Sequence, residues 1–378
     1  MASVPAESEG YTLGVEEEYQ IVDAESRGLD PRGEPVLERA RQALDEQVVP
    51  ELRAAQIEVV SSVCLTLAEV RTELARLRRR VGAAAREEGC RIVAASTHPF
   101  SDWREQPITS DERYERLVES YKRLIDQQLA FGFHVHVGLS DRETAIEVMN
   151  HLRVWLAPLL ALSANSPFWL GEDTGYASYR TQIWGRLPAA GPPGTFASLA
   201  EHDALIEALV ETGGVLDAAS VYWDMRLPEK LETVEIRVAD VPSRVDEAVM
   251  LAGLCRALVR VCHERVGRGE QHPDVRPELL RIAHWNASRY GLDRDLIDLE
   301  AGRVLPARAM MEKMLAFARQ ALEEHGDYEE VSSLLGDTLE MGNGAKRQRL
   351  AYKRTGRLEG VVDALIEETA LGTDPSNG

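Results

Sequence analysis

Four segments of this chain alternate apolar and charged residues with a period of two, and that alternation admits few folds. In "LGVEEEYQI" the side chains of Leu13, Val15, Tyr19 and Ile21 fall on one face of an extended strand, and those of Glu16, Glu18 and Gln20 on the other. In "AAQIEVVSSV", Ile57, Val59 and Val63 oppose Gln56 and Glu58. In "FGFHVHVGL", Phe133, Val135, Val137 and Leu139 oppose His134 and His136, and in "TVEIRVAD", Val234, Ile236 and Val238 oppose Glu235 and Arg237. Strands that are apolar on one face only belong to an antiparallel sheet with its core on one side. Glu17 is the exception. Alternation places it on the apolar face, where the sequence offers it no role.

Six segments read as strands: Tyr11–Val22, Ala55–Val63, Arg91–Ser96, Phe131–Gly138, Ser220–Leu227 and Glu232–Ala239. The last two are joined by "PEK", short enough for a hairpin and too short for a parallel crossover. Helical spacing runs through residues 67–89 and 110–130, the latter with Ser110 as N-cap and Arg113 where a capping box would want Glu. A third pattern, 141–164, opens at an Asp cap, and Pro158 should kink or split it. After residue 243 the chain reads as helical to its end. The fold class expected is α+β: a mainly antiparallel six-stranded sheet with helices on its apolar face. One domain is expected over residues 11–370, between a flexible leader (1–10) and a frayed tail (371–378). Residues 165–198, rich in Gly, Pro, Ser and aromatics, read as an ordered loop that covers something.

Composition narrows the partners. A formal net charge of −20 argues against nucleic acid, which needs basic patches. No apolar run approaches the ~18–20 residues of a membrane span, and the N-terminus has no secretory pattern. The four cysteines, Cys64, Cys90, Cys255 and Cys262, form no CxxC pair and read as buried thiols of a cytoplasmic protein.

The polar face of the strands carries the chemistry. A merely solvated face would hold Thr, Lys and Ser. This one holds carboxylates and imidazoles, which repel one another unless a cation lies among them. Carboxylate oxygens with an imidazole and no thiolate suit Mg²⁺ or Mn²⁺ better than zinc. Arg237, beside Glu235 on that face, is a natural clamp for phosphate or carboxylate. No GxxxxGK[ST] loop, GxGxxG turn or GxSxG elbow is present, so any ATP must be held by metals and arginines.

The motifs "GVEEEYQIVD", "THPF", "GFHVHVGL", "SYRTQIW", "YWDMRLP" and "TVEIRVAD", in this order, resemble the carboxylate–amine ligases of the glutamate–cysteine ligase type 2 family. The resemblance implies a glutamine-synthetase-like catalytic domain whose sheet forms a funnel. It implies ATP and Mg²⁺ (or Mn²⁺) as cofactors, and phosphorylation of the side-chain carboxylate of glutamate for attack by an amine such as cysteine. Position by position, it makes Glu16, Glu18, Glu51, Glu58, His134 and Glu235 metal ligands. It turns His136 toward nucleotide or substrate, makes Arg237 a phosphate contact, and has Arg180 and Arg226 hold substrate carboxylate or phosphate. It brings "NGAKRQR" (343–349) toward the site, and it leaves His98 either in the site or capping a turn. The partners expected are small molecules (ATP, glutamate or a similar acid, an amine), with a homodimer left open. The alternative from the residues alone is a metal-dependent hydrolase using the same acidic face. A third class, an idle binding protein on this fold, would be expected to have lost metal ligands.

Overall fold

The computed structural model describes residues 10–373, so the expected leader, apart from Gly10, and the last five residues of the expected tail lie outside the described residues. The first half of the chain runs β1 (Leu13–Asp23), α1 (Gly33–Leu44), β2 (Val48–Pro50), β3 (Gln56–Val60), α2 (Leu67–Glu87), β4 (Cys90–Val93), α3 (Glu112–Tyr121), α4 (Arg123–Asp126), β5 (Phe133–Gly138), α5 (Arg142–Leu152) and α6 (Leu156–Ser163). Short elements follow: β6 (Phe168–Trp169), β7 (Glu172–Asp173), α7 (Arg180–Trp184), β8 (Ala190–Gly191), α8 (Leu199–Glu211), β9 (Tyr222–Trp223), β10 (Met225–Arg226) and β11 (Thr233–Ile236). The remainder is α9 (Val245–Gly267), α10 (Pro277–Tyr290), the hairpin β12 (Leu296–Asp298) and β13 (Arg303–Leu305), then α11 (Ala307–His325), α12 (Tyr328–Met341), α13 (Gly344–Thr355) and α14 (Leu358–Ala370).

The main sheet is antiparallel throughout, in the order β10–β11–β5–β1–β3–β2, with β4 also paired to β1. It has seven strands rather than six. The extra one, β2, is three residues long and ends at a proline, too short to show a period. The segment expected as one strand over 220–227 is two. β9 pairs in parallel with β8, and β10 pairs with β11, because the chain changes partner at Asp224. There the backbone N–H of Asp224 donates to Gly191 and its carbonyl accepts from Arg237.

Alternation placed the core correctly at nearly every strand position. Leu13, Val15, Tyr19, Ile21, Ile57, Val59, Val137 and Val234 are fully buried on the face that packs against α2, α5 and α9. Val63 is the exception at 74% exposed, because β3 ends at Val60. Glu17 does lie on the apolar side, fully buried, and its partner is Arg78 of α2. All four cysteines are buried and unpaired.

The helix signals held with two adjustments. Thr66 and Glu69 close a capping box at the start of α2, and the Asp141 side chain caps α5. The helix expected over 110–130 starts from Asp111 instead of Ser110, because the Asp111 carboxylate accepts the Arg113 N–H at 2.8 Å. It then breaks at Lys122, whose φ of +48° cannot continue a helix. Pro158 splits the third pattern as expected. It sits in the first turn of α6, where its missing N–H leaves no bond unmade. The 22-residue stretch Arg142–Ser163, long and apolar enough to cross a membrane, is instead almost wholly buried in the protein core. The hairpin β12–β13 interrupts the otherwise helical final third.

Candidate active site

Cross-strand register assembles the polar face. Pairing sets Glu18 opposite Glu58, Glu16 opposite His134, His136 opposite Glu235, and Glu235 opposite Arg226. Directly opposed residues on one face stand ~4.5–5.5 Å apart at Cβ, so the row is contiguous across five strands. Over it lies a cavity of about 260 Å³, lined on the sheet side by Glu16, Glu18, Glu51, Glu58 and His134. Arg113, Arg180, Arg226 and Arg237 also line it, together with Tyr114, Leu117, Trp184 and Tyr222. A wider cavity of about 770 Å³ adjoins it, sharing Arg226 and Ala219.

The carboxylates have unlike environments. Glu16 accepts from His134 Nδ1 at 2.8 Å and lies 3.2 Å from His136 Nε2. Burial works to raise its pKa, but the two imidazoles more than offset that and hold it well below the ordinary range. Glu18 accepts the Gly132 N–H at 2.8 Å and the Gln56 amide at 2.6 Å, yet burial still leaves its pKa raised. Burial and the neighbouring Glu18 charge push Glu51 up to about 7. Glu58 is driven well above its usual value by burial and by the charges of Glu16, Glu51 and Glu18. Carboxylates this crowded ionise together only when a cation sits among them, and otherwise hold a proton.

The donor atoms are close enough to share one. Glu18, Glu51 and Glu58 each offer an oxygen within 4.8 Å of the others; Glu16 and Glu58 with a ring nitrogen of His134, and Glu16 and Glu235 with one of His136, form two further such groups. Because His134 donates through Nδ1 to Glu16, its Nε2 is left with a lone pair; burial, chiefly, holds its pKa down to about 4. Oxygen-rich sets with one imidazole fit a hard divalent ion, so these residues fit Mg²⁺ or Mn²⁺.

Not every expected residue faces the cavity. Glu235 is buried behind it and engages both Arg226, at 2.6 Å, and Arg237. Burial opposes its charge, but the two guanidinium groups lower its pKa to about 2. His136 also stands behind the cavity wall, between Glu16 and Thr233. Arg180 reaches the cavity from α7, and its loop is moored by Asp240, which accepts from Ser166, Ser178 and the Asn165 N–H at 2.7–2.8 Å. His98 is outside the cavity and caps a turn. Its Nε2 lies 2.9 Å from the Arg27 carbonyl while Nδ1 accepts from the backbone of Phe100 and Ser101. The 343–349 segment stays one layer back, where Gln348 donates to Asn165 and Arg347 pairs with Glu247 and Glu368.

Several lining residues were not anticipated as part of the site. Gln56 shared the right face, a signal that could have found it. Arg113, Tyr114, Trp184 and Tyr222 come from α3, α7 and β9, elements whose approach no local pattern records. Gly132 is missing a side chain for a reason. A Cβ there would lie 2.9 Å from His134 Nε2, 3.0 Å from Arg180 Nη2 and 3.1 Å from Glu18 Oε1.

Comparison with known proteins finds relatives along nearly the whole chain. Residues 12–364 match the model of the family described as Glutamate-cysteine ligase family 2 (GCS2). The chain is 40% identical over 97% of each sequence to a Roseiflexus castenholzii protein named "Putative glutamate–cysteine ligase 2". Among solved structures it is similar in fold to a glutamate–cysteine ligase from Francisella tularensis in complex with AMP (TM-score 0.70, 12% identity, 96% of this chain and 89% of that one). It is also similar in fold to a bifunctional glutathione synthetase from Pasteurella multocida (TM-score 0.70, 16% identity), of which it spans about half, 97% of this chain against 53% of that one.

Proposed function

This chain belongs to glutamate–cysteine ligase family 2, and we propose that it is an ATP-dependent carboxylate–amine ligase that activates the side-chain carboxylate of glutamate. The observation that carries this reading is the convergence of five metal-type ligands and four arginines on one cavity. The γ-phosphoryl group of ATP passes to the glutamate carboxylate, giving ADP and an acyl phosphate. An amine such as cysteine then attacks the carbonyl carbon, and phosphate leaves.

The chain's own residues supply positioning and charge. Arg226 and Arg237, fixed by Glu235, meet the phosphoryl oxygens where negative charge develops, and Arg180 holds the substrate carboxylate. Anchoring these groups before reaction lowers the barrier, since good orientation is worth ~7–11 kcal/mol. Glu16, Glu18, Glu51, Glu58 and His134 would hold Mg²⁺ or Mn²⁺, with Glu235 behind them. When bound, the metal neutralises phosphate charge and polarises the phosphoryl group. The adjoining cavity leaves room for the rest of the nucleotide. The Arg180–Trp184 segment covers the cavity and shields the water-sensitive acyl phosphate. A hydrolase would need the carboxylates but not four arginines, so the ligase is the reading we keep.

The test is ADP release in the presence of Mg²⁺ and glutamate, across a panel of amines that includes cysteine. Acceptor-dependent ADP formation is expected. Tight Mg²⁺ binding with no ADP from any acceptor would overturn the ligase in favour of the hydrolase.

A further inference from the structure

Glu17 lies between Glu16 and Glu18 but faces the opposite way, and the chain gives it an elaborate buried setting. Arg78 of α2 donates to its carboxylate through Nε at 3.0 Å and Nη2 at 2.5 Å, and the Tyr19 hydroxyl donates to it at 2.5 Å. Both members of the pair have 0% side-chain exposure. The same guanidinium donates to the carbonyls of Pro242, at 2.9 Å, and Ser243, at 2.6 Å. Those residues closely follow Asp240, the carboxylate that moors the Arg180 loop. Asn165, at the root of that loop, donates from its side chain to Val241, at 2.8 Å, and Ser243, at 3.0 Å.

We propose that Arg78 and Glu17 are positioning residues for the cation site, acting from behind the sheet. This rests on the metal assignment given above. Arg78 performs two tasks at once. It pins the one residue of β1 that separates two candidate ligands, so that Glu16 and Glu18 keep their pitch toward Glu58 and His134. It also balances a carboxylate that would otherwise add its charge, through a single strand, to a face already crowded with acids. Through the Pro242 and Ser243 carbonyls it ties that strand to the segment that holds Arg180. A buried ion pair is a poor source of stability, because desolvating both charges consumes most of their attraction. Its retention here is better explained by what it orients than by what it stabilises, as groups behind a metal site orient the ligands in front.

The test separates orientation from stability. Mn²⁺ is titrated into the purified protein, with free ion followed by electron paramagnetic resonance, beside thermal melting of each variant. The double variant Glu17→Leu with Arg78→Met replaces the pair by apolar side chains, so that neither charge is left buried alone. It should stay folded but melt lower, because the Pro242 and Ser243 carbonyls and the Tyr19 hydroxyl lose their partners. It should also bind Mn²⁺ about 10–100-fold more weakly, the usual loss when a group behind a metal site is removed. Arg78→Lys keeps the charge but cannot reach Glu17 and both carbonyls together. It should remain folded with a smaller loss of affinity, and it decides the matter if the double variant fails to fold. Wild-type Mn²⁺ affinity in any folded variant overturns the proposal. So does a loss of affinity that merely follows melting temperature across the set. Absence of Mn²⁺ binding by the wild type would remove the metal reading and this inference together.

Discussion

At the level of single residues, the site depends as much on what is missing as on what is present. Gly132 leaves open the space where His134 Nε2, Arg180 Nη2 and Glu18 Oε1 converge. Gly132→Ala should therefore lower kcat/KM by about 100-fold, since displacing a reacting group by ~1 Å can cost that much. Its melting temperature should barely change, and steady-state assays beside thermal melts would check both. His98 makes a stability prediction with a definite sign. Burial lowers its pKa from 6.5 to about 4, so the folded protein holds it neutral while the unfolded chain protonates it. Its contribution is complete above pH 6.5 and is lost as pH falls toward about 4, by roughly 3 kcal/mol in all at 1.36 kcal/mol per unit. His98→Gln should flatten the stability profile in that window, measured by urea unfolding at several pH values. Glu16, Glu18, Glu58, His134 and Arg237 were legible in the sequence because each belongs to an alternating strand. Glu51, directly after Pro50, was reachable only through the family resemblance, for β2 is too short to show a period.

Among the elements, the helices obeyed their end signals where the signal was a side chain and departed from them where the backbone turned. The Thr66–Glu69 capping box opens α2, the helix that carries Arg78. Thr66→Ala should cost about 1 kcal/mol of stability without changing KM for any substrate, checked by paired unfolding and kinetic measurements. The break between α3 and α4 was not legible, because Lys122 is no natural breaker. Its φ of +48° is a conformation that glycine adopts with less strain. Lys122→Gly should stabilise the protein by up to ~1 kcal/mol, a rise in melting temperature being the readout. The break matters because it lets Leu117 of α3 and Ile125 of α4 both face the cavity.

For the whole molecule, the acidic face is a liability that a bound ion should remove. A ligand that binds only the folded state adds about 2.7 kcal/mol at a hundred times its dissociation constant. Mn²⁺ at that excess should raise the melting temperature of the wild type, and Glu58→Gln should abolish most of the rise; an equal rise in both would remove Glu58 from the site. What the chain determined by itself was which side chains share a face, because a strand's period of two is a local property of its backbone. Register and cover were decided only in the tertiary structure. Whether Glu18 meets Glu58 and Glu16 meets His134 depends on pairings between distant segments. Whether Trp184 and Tyr222 reach the cavity depends on α7 and β9, elements of five and two residues that are too short to show a period. Glu17 shows the difference most plainly. Alternation put it on the apolar face, but its partner stands 61 residues away on a packed helix, and only packing could bring the two charges together.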